Sequence, residues 1–203
     1  MSGVTRPTLR ERKKAETRQR IADVATSMFV ERGFDNVTIT EIAEAAGVSK
    51  VTVFNYFPRK EDIFFDRFPQ AADLIMEAVR DRREDETPLV ALWRLAVDLA
   101  ERRHPLGGFE DRYLRFLETV VGSAPLRARV REAVAEFEAY LAELLTGVDP
   151  HPRLTAALVV AAYRTVYTET AGRMLAGEKA ADVTPDHIAA IDHAFGILIG
   201  GLR

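Results

Sequence analysis

Between Thr38 and Phe57 the chain reads TITEIAEAAGVSKVTVFNYF, and the neighbouring segments have to accommodate what this stretch forms. Thr38 and Glu41 have the Thr-x-x-Glu spacing of a capping box. The hydroxyl and the carboxylate each satisfy a backbone N–H that a first helical turn leaves unpaired, which predicts a helix from Ile39. Ile42, Ala43 and Ala46 give that helix one apolar face. Gly47 is able to take the left-handed conformation that ends it. Ser49 then supplies an N-cap for a second helix running through Tyr56, with Pro58 just beyond. A small Ala43 lets the two helices cross closely, and Val48 and Val53 fill the angle between them. Two helices crossing steeply over a short glycine-containing turn make a helix-turn-helix, whose second helix enters the major groove of DNA.

Charge supports that reading once it is divided along the chain. The net charge of −3 is unpromising for a DNA binder, but residues 1–60 hold 11 basic and 7 acidic side chains, a local +4, which leaves −7 for the rest. A basic end that coincides with the helix pair is the footprint expected for phosphate contacts; a solvated basic tail is the other explanation. The absence of cysteine removes disulfide and thiolate chemistry. With 47% hydrophobic and 29% charged residues the chain has the makings of a core, and no uncharged apolar run reaches the roughly 18 residues of a spanning helix. A polar N-terminus lacks the apolar segment of a signal peptide, so a cytoplasmic location is expected.

The wider wording extends the signal. FVERGF, then TITEIAEAAGVS, then KVTVFNYFPRKEDIF resembles the tetracycline-repressor (TetR) family over about Ile21 to Phe65, and the spacing of Ala43, Gly47 and Val53 fits the general helix-turn-helix pattern. Beyond that stretch the resemblance rests on the number and placement of helices. It implies an N-terminal three-helix DNA-binding domain, residues 1–58, and a larger effector-binding and dimerisation domain, residues 59–203. The VFNYFPRKEDIFFDR wording is similar to a subset of these regulators associated with acyl-CoA-like ligands.

Breakers divide the chain into about nine helices with no convincing strand, an all-α class. Residues 1–7 read as a flexible arm. Thr8 and Glu11 form a second capping box opening a helix near Leu9, polar at first and then apolar at Ile21, Val24, Ala25, Met28 and Phe29, with Gly33 ending it. Arg6, Arg10, Arg12, Lys13 and Lys14 would reach phosphates or the minor groove, or form a solvated end. A long helix is expected from Lys60 to about Arg83, joining the two domains as a lever, and a last helix from Thr184-Pro185 to about Ile199.

Candidate DNA contacts come from two sources. The residues themselves suggest Lys50, which can donate to a guanine edge, and Asn55, which can pair with an adenine edge; Val51 would approach a thymine methyl or shift the docking. The resemblance adds Thr38, Thr40, Thr52, Tyr56 and Lys60 as phosphate contacts, and Ser49 completes the set at the head of the second helix. Phe54 and Arg59 stand where the family often has tyrosine and a serine or threonine cap, which leaves Phe54 without a hydroxyl and the cap at Arg59 open.

In the larger domain Trp93, Tyr113, Phe116, Phe137, Tyr140, Tyr163 and Tyr167 form a candidate effector pocket or plain core, and the resemblance favours a pocket. Leu158, Ala162, Val166, Ile191, Phe195 and Leu198 lie on the last two helices, which are apolar on more than one side, and are candidate dimer contacts. The partners implied are an operator duplex, a small-molecule effector and a second copy of the chain. The four histidines are scattered and read as surface residues, no nucleophile or phosphate loop is present, and no cofactor or metal is implied. The expected function is a homodimeric repressor of palindromic operators. The rivals are a helical dimeric protein-binding module and a small α-helical enzyme.

Overall fold

Helix starts follow the caps. A computed structural model describes residues 8–201. Thr8 Oγ1 accepts the Glu11 N–H while the Glu11 carboxylate accepts the Thr8 N–H, which opens α1 (Leu9–Arg32). The same reciprocal pair at Thr38 and Glu41 opens α2 (Ile39–Ala45), and Ser49 Oγ accepting the Thr52 N–H opens α3 (Lys50–Tyr56). α4 (Lys60–Phe64) starts where the Asp62 carboxylate accepts the Arg59 N–H at 3.2 Å, so the reach-back half of a capping box serves where the cap side chain is an arginine. Gly47 has φ +64°, a left-handed turn between α2 and α3 that a side chain would strain.

The chain divides between Asp66 and Arg67 into two units. That division lies beyond the expected 58/59 boundary because α4 completes the core of the first unit. Ile63 and Phe65 are buried, and the Phe64 ring centroid lies 6.0 Å from that of Phe29 and 5.8 Å from that of Phe34. This core also includes Ile21, Ala25 and Phe29 of α1, Val37 before α2, Ile42 and Ala43 of α2, Val53 and Phe57.

The second unit holds α5 (Phe68–Arg80), α6 (Pro88–Glu101), a 3₁₀ turn (Asp111–Tyr113), α7 (Leu114–Gly122), α8 (Ala124–Leu144), α9 (Pro152–Leu175) and α10 (Ala180–Gly201). Ten α-helices and no strand occur among the described residues, one helix more than expected. The single helix anticipated over 60–83 is two, because Pro69 has no N–H to give the Phe65 carbonyl and its ring crowds that carbonyl, so residues 65–67 form a turn. A continuous lever from Lys60 is therefore absent.

The last helix starts at Ala180, not Thr184, and carries Pro185 inside it. Its first turn is anchored from a distance: the Asp111 carboxylate accepts the Ala180 N–H at 2.9 Å, a charge-to-helix-start contact that local sequence does not announce. α9 packs against α8 and α10, and α10 against α6, around a core that includes Leu92, Ala96, Leu141, Val159, Val166, Ile191 and Phe195. A second cluster gathers Phe109, Leu117, Ala171, Met174, Ala180 and Val183. The segment between α6 and the 3₁₀ turn is tightly held: a Cβ on Gly108 would lie 2.5 Å from the Arg103 backbone and 2.7 Å from the Leu99 carbonyl oxygen.

Candidate nucleic-acid interface

A helix of 3.6 residues per turn advances about 100° per residue, which arranges the outward side chains of α3 in the order Lys50, Phe54, Val51, Asn55 across one arc. Val53, fully buried, lies on the opposite side. Val51 is 68% exposed and Phe54 47%, and Lys50 and Asn55 are exposed as well. The hydroxyls of Ser49 and Thr52 are engaged with each other at 2.8 Å, and Ser49 Oγ also caps the helix, so these two residues hold α3 in shape. Thr38 is similarly occupied: its hydroxyl donates to Glu41 Oε2 at 2.7 Å and accepts the Glu41 N–H. That bond, with the Arg32 guanidinium at 2.6 Å, holds the Glu41 carboxyl down at about 2. Thr40 is exposed on α2, and Tyr56 is half-buried at the end of α3.

Two arginines of α1, unremarked in the sequence beyond their charge, fix the ends of the helix pair. Arg20 Nε donates to the Ala46 carbonyl at 3.1 Å, closing the C-terminus of α2. Arg18 donates to the Tyr56 carbonyl at 2.8 Å, closing that of α3, with its guanidinium 4.1 Å from the centre of the Phe57 ring. A cation at a helix C-terminus both supplies a donor to an orphan carbonyl and complements the negative end of the dipole.

Lys60, an expected phosphate contact, is engaged within the first unit. Its ammonium donates to the carbonyls of Phe34 at 2.8 Å and Val37 at 2.9 Å and lies 4.0 Å over the Phe34 ring. Burial pushes its pKa down, and the charges of Asp35 and Glu61 pull it back up. The side chain ties the segment before α2 to α4. Arg10, Arg12, Lys13 and Lys14 remain exposed along the first turns of α1, while Arg6 and the arm over residues 1–7 lie outside the described residues.

A short helix with an uncommitted, mixed polar and apolar outer face, capped by Ser49 at its start and clasped by Arg18 at its end, is built to meet the edges of base pairs. Residues 21–66 match the family model described as bacterial regulatory proteins, tetR family. The solved structure of FadR from Thermus thermophilus, a TetR-family transcriptional repressor in complex with lauroyl-CoA, is 30% identical, with 92% of this chain and 95% of that one covered and a TM-score of 0.53. The chain belongs to the TetR family. It is a DNA-binding transcriptional regulator, not an enzyme. The transcriptional regulator TcmR of Streptomyces glaucescens is 27% identical over 203 residues, 97% of this chain and 87% of that protein. The fold recurs in NalD of Pseudomonas aeruginosa, 19% identical with a TM-score of 0.55 over 89% of this chain and 97% of that one.

In the second unit of this TetR-family chain the seven candidate aromatics do not line one cavity. Trp93 Nε1 donates to Asp192 at 2.7 Å, joining α6 to α10, and Phe137 packs on the main core. Tyr140 donates to the Ala72 carbonyl at 3.4 Å, Tyr113 to that of Arg103 at 3.3 Å, and Phe116 is 39% exposed. Tyr163 and Tyr167 lie together, ring centres 6.3 Å apart. Burial raises both phenols, that of Tyr167 to about 12. Phe109 lies 5.0 Å from Tyr167 and 5.0 Å from His187, edge to face with the imidazole.

His187 corrects the expectation of a surface histidine. It is 1% exposed, its Nδ1 sits 2.9 Å from Thr170 Oγ1, and its Nε2 is buried without a partner. Burial pushes its pKa down, and the Gly107 carbonyl partly offsets this. The signal was present in the sequence, since Val183, His187, Ile191 and Phe195 follow at four-residue spacing and all are buried. Two open grooves form elsewhere: about 360 Å³ beside Leu74, Ala91, Arg94 and Arg102, and about 570 Å³ beside Ala139, Thr146 and Arg153.

The dimer set is also redrawn. Val166, Ile191 and Phe195 are buried in the unit's own core and have no surface to offer a second copy; Leu158, Ala162 and Leu198 are half-buried. The outer sides of α9 and α10 carry other residues, Leu154, Ala161, Thr165 and Gly172 on one and Ala189, His193, Gly196 and Ile197 on the other. Ala161, Gly172, Ala189 and Gly196 are small, and Arg164, Glu169 and Asp192 are exposed beside them.

Proposed function

We propose that the chain is a homodimeric repressor that reads paired half-sites of a palindromic operator and is released by a small molecule with a long acyl chain. The uncommitted outer arc of α3 is the observation that carries the DNA-reading part: Lys50, Val51, Phe54 and Asn55 face outward while the hydroxyls around them are spent on caps. The first unit reads DNA, with Arg10, Arg12, Lys13, Lys14 and Thr40 toward phosphates, and the second receives the effector and the second copy.

The outer sides of α9 and α10 favour self-association, because small residues let helix backbones approach closely and Leu154 and Ile197 remain 51% and 61% exposed. The effector class is suggested by FadR of Thermus thermophilus, whose solved complex holds lauroyl-CoA. Within this chain the acyl chain is assigned to the buried aromatic cluster of Tyr163, Tyr167, Phe109 and His187.

The deciding experiment is selection of operator duplexes from a random pool, repeated with lauroyl-CoA and with CoA alone, alongside mass measurement in solution. Coupling of about 1–3 kcal/mol would weaken operator binding 5- to 150-fold. Enrichment of a palindrome by a dimer, with release by the acylated form only, is expected. Equal binding of all duplexes, or a monomer on DNA, sinks the reading.

A further inference from the structure

We propose that Val51 and Phe54 read thymine C5-methyl groups, so that apolar contact sets the sequence preference at the middle of each half-site. The proposal rests on the DNA-reading assignment above and names what the recognition helix looks for. Val51 and Phe54 are three residues apart on a seven-residue helix, adjacent on its surface, and 68% and 47% exposed. They occupy the centre of the outward arc, with Lys50 at one margin and Asn55 at the other.

Side chains that might have given this centre a polar character are unavailable to it. Ser49 and Thr52 bond each other, and Thr38 is held by Glu41. A side chain with no donor or acceptor, pressed into the major groove, leaves any base edge it covers unpaired. The one apolar group that base pairs present in that groove is the methyl of thymine. Covering it removes apolar surface from water on both partners, whereas covering a cytosine or purine edge strands a polar group. Lys50 and Asn55 at the margins suit a guanine and an adenine edge, so the arc fits a half-site with thymine in the middle and hydrogen-bonded bases beside it.

Deoxyuridine pairs as thymine does and lacks only the methyl, which makes the test direct. Operators recovered by selection with the full chain would be remade with one thymine at a time replaced by deoxyuridine, and affinity read by fluorescence anisotropy. Loss of one methyl contact is expected to weaken binding about fourfold at the contacted position, from the transfer free energy of a methyl-sized group. Cytosine there should bind poorly, and 5-methylcytosine should regain part of the loss. The double variant Val51→Ala/Phe54→Ala, both positions exposed and the protein checked for retained helicity, should bind the deoxyuridine and thymine duplexes alike. If a specific operator is bound and no single replacement changes affinity, the methyl-reading proposal is overturned while DNA reading stands. Unchanged methyl sensitivity in the double variant overturns it too, since the contact then lies on another residue. Enrichment of no sequence removes the DNA-reading assignment and this proposal with it.

Discussion

The short helices α2, α3 and α4 and the long helices α9 and α10 are held in place by different means. The first three have 7, 7 and 5 residues, below the roughly 12–15 at which an isolated helix becomes marginally stable in water. They are fastened by side chains that reach backbone carbonyls: Arg20 at the end of α2, Arg18 at the end of α3, and Lys60 between α4 and the segment before α2. α9 and α10, with 24 and 22 residues, are held by apolar burial along their length. Polar clasps at the ends leave the flank of a short helix free to face a partner. Burial along a long helix consumes that flank, which is why Val166, Ile191 and Phe195 are not available to a second copy.

Removing the Phe195 side chain would break the long-helix half of this comparison most severely. Phe195→Ala in a 2%-exposed site is expected to cost about 3–5 kcal/mol, from lost burial plus an unfilled cavity. Denaturant titration at two protein concentrations separates the possibilities. A lowered midpoint at both concentrations places Phe195 in the core, whereas an unchanged midpoint with loss of the proposed self-association would return it to an interface.

On the short-helix side, Lys60→Met keeps a similar stem and deletes the ammonium that serves two carbonyls. The expected cost is about 1.5–3 kcal/mol, the range for hydrogen bonds to charged groups. If Lys60 were instead a phosphate contact, stability would hold and the salt dependence of DNA binding would flatten by about one unit. Measuring both quantities on the same variant distinguishes a clasp from a contact.

His187 sharpens the contrast from inside the buried region. Its folded pKa lies below the ordinary histidine value of 6.5 because burial disfavours the cation. The unfolded chain therefore binds the proton more readily, and stability should fall as pH drops below about 6.5, by at most about 1.4 kcal/mol per pH unit for one proton. His187→Asn retains a polar group toward Thr170 and should remove that component, so the gap between the two thermal midpoints narrows from pH 7 to pH 5. A constant gap would show that the histidine carries no such linkage.

What was legible in the sequence was whatever acts over one helical turn. Both Thr-x-x-Glu boxes, the Ser49 cap and the glycine between α2 and α3 stand where the spacing predicts, since each needs only residues three or four apart. Interactions across tens of residues left no local trace. Arg18 and Arg20 resemble any basic residues on a polar stretch until the carbonyls of Tyr56 and Ala46 come into reach, and Asp111 gives no hint that it anchors Ala180. Apolar periodicity identified the buried stripes of α9 and α10 but not whether the same chain or a second copy covers them. The spacing places α3 where it is found, but it does not announce the bonds of Lys60 to the Phe34 and Val37 carbonyls, because a lysine at a helix start serves an anion and a pair of carbonyls equally well.

Lys13 and Lys14 should give the smallest effect on the fold and a clear one on binding, which makes them the finest probe of the division between clasps and contacts. Both are exposed on α1, in the same polar stretch that supplies Arg18 and Arg20. Surface substitutions away from such clasps usually stay within about 0.5 kcal/mol, so Lys13→Ala and Lys14→Ala should leave the denaturation midpoint in place. Each phosphate-contacting lysine releases about one counterion on binding, so its loss should reduce the slope of log affinity against log salt by about one unit. The reduction should be the same on operator and non-operator duplexes, because a phosphate carries no sequence. If either variant lowers the denaturation midpoint, the first turns of α1 are fastened as the later ones are. If the slope is unchanged for both, the exposed charge is solvated and takes no part in docking, and the electrostatic grip on DNA must come from elsewhere in the first unit.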